Sequence, residues 1–147
     1  MSNLDIVLPE LVMPIANYVP FVRVGNTLYI SGQLPMENGK MLSPGKLGNQ
    51  VSIEQGNQAA KMAALNVLAQ VKATVGSLSK VKRVVKITGF VNSTPEFTQH
   101  PQVVNGASDL FVEVFGDNGK HARSAVGVAS LPLDAPVEIE AIFEIAS

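Results

Sequence analysis

The sequence predicts an α+β fold: a mixed β-sheet with two helices on one of its faces. Three observations carry that expectation. The last quarter of the chain holds two apolar, β-branched runs, His121 to Ser130 and Val137 to Ile145, split by the turn-forming Leu131-Pro132-Leu133-Asp134-Ala135-Pro136. Two earlier segments repeat their apolar residues at helical spacing. Further strand-like runs precede and separate them, giving the order β-β-α-β-α-β-β without internal repeats or linkers.

Taken in order, residues 1–17 read as an irregular lead-in. Tyr18 to Val24 alternates loosely, Gly25-Asn26 signals a two-residue hairpin turn, and Thr27-Leu28-Tyr29-Ile30-Ser31 follows as a second strand closed by Gly32. Met36 to Val51, with Gly39, Pro44, Gly45 and Gly48, reads as a long loop of the kind that is often functional. Ser52 with Gln55 forms a capping-box signature. Behind it Ala60, Ala63, Ala64, Val67, Leu68, Val71 and Val75 mark a helix ended by Gly76. Val81 to Val91 reads as a strand with Val81, Val85, Ile87 and Val91 on one face. After a loop from Asn92 to Pro101, Val103, Val104, Ala107, Leu110, Phe111, Val114 and Phe115 make a second amphipathic helix stopped by Gly116. In the final run Val137, Ile139, Ala141, Phe143 and Ile145 share a face opposite Glu138, Glu140 and Glu144.

At 147 residues the chain suits one domain spanning 1–147, with about two-thirds of its unfolded surface buried. Apolar residues make up 46% and charged ones 16%, a globular composition rich in apolar groups. A net charge of −1 disfavours nucleic acid, which calls for a basic patch. The lack of cysteine excludes disulfides, thiolate nucleophiles and sulfur-ligated metals. No run reaches the roughly 18 apolar residues of a membrane helix. Met1 to Tyr18 lacks a basic start, carries Asp5 and Glu10, and is broken by Pro9 and Pro14, so it is not read as a signal peptide. The expectation is a cytoplasmic protein without a membrane partner.

Two helices cannot cover both faces of such a sheet. The uncovered face, expected to hold Val126, Val128, Leu28 and Ile30, implies self-association sheet to sheet.

Arg123 is the charged residue at the start of a run almost free of charge. It either pairs with a surface carboxylate or clamps a ligand carboxylate, whose two oxygens match the guanidinium fork. Glu138 and Glu140 share a strand face; a glycosidase pair would want aromatic platforms, yet aromatics total 5% and Trp is absent. His100 and His121 lack metal-site spacing, so no metal is expected. Gly116-Asp117-Asn118-Gly119-Lys120 lacks the spacer of a phosphate loop and reads as a turn. Spacing alone supports no Ser-His-acid grouping.

Arg123-Ser124-Ala125-Val126, followed by Leu131-Pro132 and Val137-Glu138-Ile139-Glu140-Ala141, resembles the C-terminal motif of the RidA/YjgF family. Ser31-Gly32-Gln33-Leu34-Pro35 resembles its second motif, and the resemblance extends over nearly the whole element order. It implies a chorismate-mutase-like fold assembled as a homotrimer around a central barrel. It also implies cofactor-free hydrolysis of enamine/imine intermediates to 2-keto acids and ammonia; some members are described instead as ribonucleases or translation inhibitors. Carried over, Arg123 binds the substrate carboxylate, Glu138 positions the water, and Tyr18, Ser31, Gly32 and Asn105 complete the pocket. If the closing strands run antiparallel, Arg123 and Glu138 lie about 20 Å apart along the sheet, at about 3.3 Å per residue. Either Glu138 plays no part, or the pocket lies between subunits, the option that the implied trimer supports.

The sequence also departs from the family. Gly127 stands where the best-known deaminases carry Glu, Ala16-Asn17-Tyr18-Val19 replaces Gly-Pro-Tyr-Ser, and the 36–51 and His100-Pro101 segments are longer. The alternative function is a non-catalytic small-acid binding or regulatory protein of the same fold; RNA cleavage is least supported.

Overall fold

A computed structural model describes residues 3–11 and 17–147. The rest of the irregular lead-in, including Ala16, lies outside the described residues. The elements are β1 (Phe21–Val24), β2 (Thr27–Gln33), β3 (Met36–Glu37), β4 (Lys40–Met41), α1 (Ile53–Val75), β5 (Val81–Asn92), α2 (His100–Phe115), β6 (Ala122–Val128) and β7 (Val137–Ile145). The main sheet runs β1-β2-β7-β5-β6; only β5 and β6 are parallel. Both helices pack on one face, giving the α+β architecture that the patterning predicts.

Local chemistry accounts for the elements. Ser52 Oγ accepts from the Gln55 amide while the Gln55 side chain accepts from the Ser52 amide, completing the capping box. The Gly76 N–H closes α1 on the Lys72 carbonyl. α2 begins one turn earlier than the apolar pattern indicates, because Pro101 falls in its first turn, where no N–H is needed. The core lies between sheet and helices, with Phe143 of β7 edge-on to Phe111 and Phe115 of α2 at centroid distances of 5.9 and 6.3 Å.

Several expectations are corrected. The 36–51 stretch is not all loop: β3 and β4 pair around Asn38-Gly39, both at positive φ, as a tight hairpin turn requires. In β5 the core side is Val81, Val84, Ile87, Gly89 and Val91, while Val85 is exposed. Register shifts at Val81/Arg83 and Val84/Lys86 break the simple alternation. Leu28 and Ile30 face the helices, opposite Phe143 and Ala141, and are buried in the core. Val126, 43% exposed, and Val128 lie on the open face as expected, joined there by Tyr29, 45% exposed, Phe90 and Ile142.

β6 and β7 run antiparallel on either side of β5. Their connection crosses the end of β5 through a short 3-10 turn, Pro132–Asp134. Buried Asn92 ties it down by donating to the Ala135 and Gly45 carbonyls.

Candidate functional site

The sheet register places Arg123 level with Ile87 and Glu138 level with Phe90. Three residues along the strands and two strand spacings across give roughly 14 Å between their Cα atoms. That corrects the longer separation expected from the sequence: β7 starts level with Val91, short of the end of β6, so the offset shrinks. An odd offset also puts the two side chains on opposite faces. Arg123 shares the helix-covered face of Ile87, and Glu138 the open face of Phe90.

The site residues therefore form two groups. On the helix side, α2 presents Asn105 and Ser108 three residues apart, hence on one helix face. Arg123 Nη1 donates to Asn105 Oδ1 at 2.8 Å and to Ser108 Oγ at 3.2 Å. The anionic partner expected for this half-buried guanidinium is not found: no described acid reaches it, and Nε and Nη2 have no hydrogen-bond partner among the described residues. Ser108 and His121, which no sequence signal singled out for this site, complete the group. Ser108 Oγ lies 2.9 Å from His121 Nε2, and His121 Nδ1 lies 2.6 Å from the Gly119 carbonyl. Burial, and secondarily the Arg123 charge, lower the His121 pKa against the upward pull of Gly119.

On the open side, the Glu138 carboxyl packs onto Gly32 in the irregular part of β2, where a side chain would collide with it. Ser31 Oγ donates to the Val19 carbonyl at 2.6 Å, so Ser31, Gly32 and Glu138 come together while neighbouring Tyr18 is exposed. Burial, then the Glu140 charge, push the Glu138 pKa up. No described residue donates a hydrogen bond to its carboxylate.

Gly127 lies two turns of the strand alternation beyond Arg123 on the same face. A Cβ there would stand 2.5 Å from His100 Nε2 and 2.7 Å from Ser93 Oγ. These two side chains are 3.3 Å apart and border a hollow of about 380 Å³ that Gly127 also lines. His100 thus occupies the space into which an acid at 127 would extend; it is the first residue of α2, about two turns before Ser108, which contacts His121. Among the described residues no three His, Asp or Glu side chains cluster as metal ligands. None of the described helices is long and apolar enough to cross a membrane.

The chain matches, over residues 2–144, the family model described as "YjgF/chorismate mutase-like, putative endoribonuclease". It belongs to this family. Protein TCP17 of Trypanosoma cruzi is 47% identical over 99% of this chain and 91% of its own length. The 2-iminobutanoate/2-iminopropanoate deaminase of Dermatophagoides farinae is 35% identical over 88% of this chain and 86% of its own. Among solved structures, Atu1372 of Agrobacterium tumefaciens, described as of unknown function, superposes with a TM-score of 0.87 at 55% identity, covering 90% of this chain and 85% of that one. E. coli TdcF with bound serine superposes at 0.65 with 26% identity, covering 95% and 94%.

Proposed function

We propose that this protein hydrolyses reactive enamine and imine intermediates bearing a carboxylate, giving a 2-keto acid and ammonia. The observation that carries the reading is the Arg123 guanidinium. Nη1 is held by Asn105 and Ser108, and the Nε–Nη2 edge is left to receive both oxygens of a carboxylate. The name of the D. farinae relative supports the substrate class, and serine, bound by E. coli TdcF, carries an α-carboxylate.

In this reading copies assemble as a homotrimer through the open sheet face. Glu138, Gly32, Ser31 and Tyr18 of one copy then complete the pocket around Arg123 and Asn105 of the next. Arg123 fixes the substrate, Asn105 fixes Arg123, and Glu138 positions the attacking water. The reaction is an exchange of C=N for C=O that needs water and proton transfer, so no cofactor or metal is invoked, and the setting is the cytoplasm.

Keto-acid release from freshly generated 2-aminoacrylate or 2-iminobutanoate tests it. Arg123→Ala should lower kcat/KM by about 10²-fold or more, since charge-assisted hydrogen bonds are worth about 1.5–3 kcal/mol each. A wild-type rate no higher than that of the variant overturns the proposal.

Gly127 and the opposite placement of Arg123 and Glu138 favour a second reading: a non-catalytic small-acid binding or regulatory protein. It predicts saturable 2-keto-acid binding by calorimetry with no turnover.

A further inference from the structure

We propose that Ser108 and His121 are positioning residues: they hold Arg123 Nη1 from behind, so that the guanidinium presents its Nε–Nη2 edge before any ligand arrives. The role rests on Arg123 as a carboxylate clamp, which both readings above share, and it involves no contact with the reacting atoms. The hydrogen-bond roles follow from the outside inwards. The Gly119 carbonyl can only accept, so His121 carries its proton on Nδ1 and offers the Nε2 lone pair. Ser108 then donates its hydroxyl proton to Nε2 and turns a lone pair to Arg123 Nη1. Nη1 has two protons to give; Asn105 Oδ1 at 2.8 Å and Ser108 Oγ at 3.2 Å receive them.

His121 supplies what a serine within a helix otherwise lacks. Such a hydroxyl often bonds back to the carbonyl four residues earlier, here that of Val104. The Nε2 lone pair gives the Ser108 proton a different acceptor and keeps Oγ turned toward β6. Burial, the largest influence on His121, lowers its pKa and keeps the ring in the neutral form that has a lone pair to offer. The ring is wedged edge-on to Phe111, with centroids 6.0 Å apart. At Gly119 any Cβ would collide with the backbone of Phe111 and Val112, so only glycine lets this turn come close enough to anchor the ring.

Three hydrogen bonds in series therefore run from the Gly119 carbonyl to the guanidinium, and a fourth, from Arg123 to Asn105, meets them there. An arginine side chain is rotamer-rich, and a ligand that must order it loses affinity in doing so; ordering it beforehand removes that loss. Asn105 alone would hold Nη1 at one point and leave the guanidinium free to swing about it. Ser108 supplies the second point. With Nη1 occupied, the parallel pair of donors that remains is Nε–Nη2, the fork that matches the two oxygens of a free carboxylate.

The test measures keto-acid release from freshly generated 2-iminobutanoate and, by calorimetry, binding of 2-ketobutanoate to the intact protein, with folding of each variant checked by thermal melting. Ser108→Ala and His121→Leu should each raise KM and the dissociation constant about tenfold with kcat little changed, the scale of one rotamer-rich side chain left unordered. Ser108→Thr, which keeps the hydroxyl, and His121→Gln, which keeps an acceptor near the Nε2 position, should stay near wild type. A packing role predicts the reverse order at position 121, because Leu is the more apolar neighbour for Phe111. If His121→Leu does not fold, the contrast between Ser108→Ala and Ser108→Thr decides. Wild-type KM and affinity in Ser108→Ala, or a fall in kcat at unchanged KM, overturns the positioning role. If Arg123→Ala binds the acid as well as the wild type does, the clamp is overturned and the positioning role falls with it. A wild-type protein that binds the acid without turnover overturns the deaminase reading alone, and the dissociation constants then decide the positioning role.

Discussion

Along the β6 edge Asn105, Arg123, Ser108, His121 and the Gly119 carbonyl form one continuous hydrogen-bonded run. On the open sheet face Glu138 sits half-buried against Gly32 with no donor among the described residues, and the same face carries exposed Tyr29, Val126 and Val22. The first region is finished within one chain apart from a single guanidinium edge. The second has apolar surface in contact with water and a carboxylate lifted from its ordinary pKa. A region complete but for one charged edge suits a small ligand; an apolar face with a half-buried acid suits another protein surface. In the proposed assembly the first region would hold the ligand and the second would form the join between copies.

The largest effect should come from separating the halves. Val126→Asp puts a charge on the open face along the β6 edge, where the proposed assembly would bury it. Sedimentation should then report monomers, and deamination should fall to background while the Arg123 network and the fold remain. If Val126→Asp stays assembled and active, the open face is not the joining surface.

Next in size is a substitution that adds a carboxylate on the β6 edge. Gly127→Glu must displace His100 and Ser93, whose atoms lie 2.5 and 2.7 Å from the added Cβ. Overpacking of this kind costs about 1–3 kcal/mol, read from urea denaturation. His100→Ala in the same background should recover much of that loss, giving a coupling between the two sites. Additive losses would mean that His100 and position 127 do not compete for the same space.

How much of this was legible depends on whether the signal was local. The period-two pattern of β7, the Ser52–Gln55 cap and both helical stripes are short-range, and each appears where the pattern puts it. Asn38-Gly39 was equally local and marks the β3–β4 hairpin, but the glycine-rich surroundings masked it. The inward turn of Val84 depends on register shifts against β7, which no spacing within β5 reveals. Assigning Leu28 and Ile30 to the open face required knowing which side of β2 meets α1. Arg123 stood out as a charge entering an apolar strand, whereas Glu138, one of three alternating acids, entered only through the family resemblance. Ser108 and His121 did neither, because their contact joins a helix to a turn 13 residues away. The usable clue was double: Asn105 and Ser108 on one helix face, and His121 two residues before Arg123.

The smallest effect is also the one that separates an isolated chain from an assembled one. Burial, with help from Glu140, raises the Glu138 pKa, so the folded chain disfavours the charged carboxylate relative to the unfolded chain. That cost is present above the folded pKa and disappears below the ordinary carboxylate range. In a monomeric Val126→Asp background, Glu138→Gln should therefore stabilise slightly at neutral pH, within about 0.5 kcal/mol as for other surface substitutions. The gain should fade as the pH falls, because the wild-type carboxyl is then protonated as well. In the assembled protein a neighbouring guanidinium facing Glu138 would favour the charged form, and the same substitution should turn destabilising at neutral pH. Equal effects in both backgrounds would mean that no cation from another copy reaches Glu138, and that its carboxylate does not face the Arg123 edge of a neighbour.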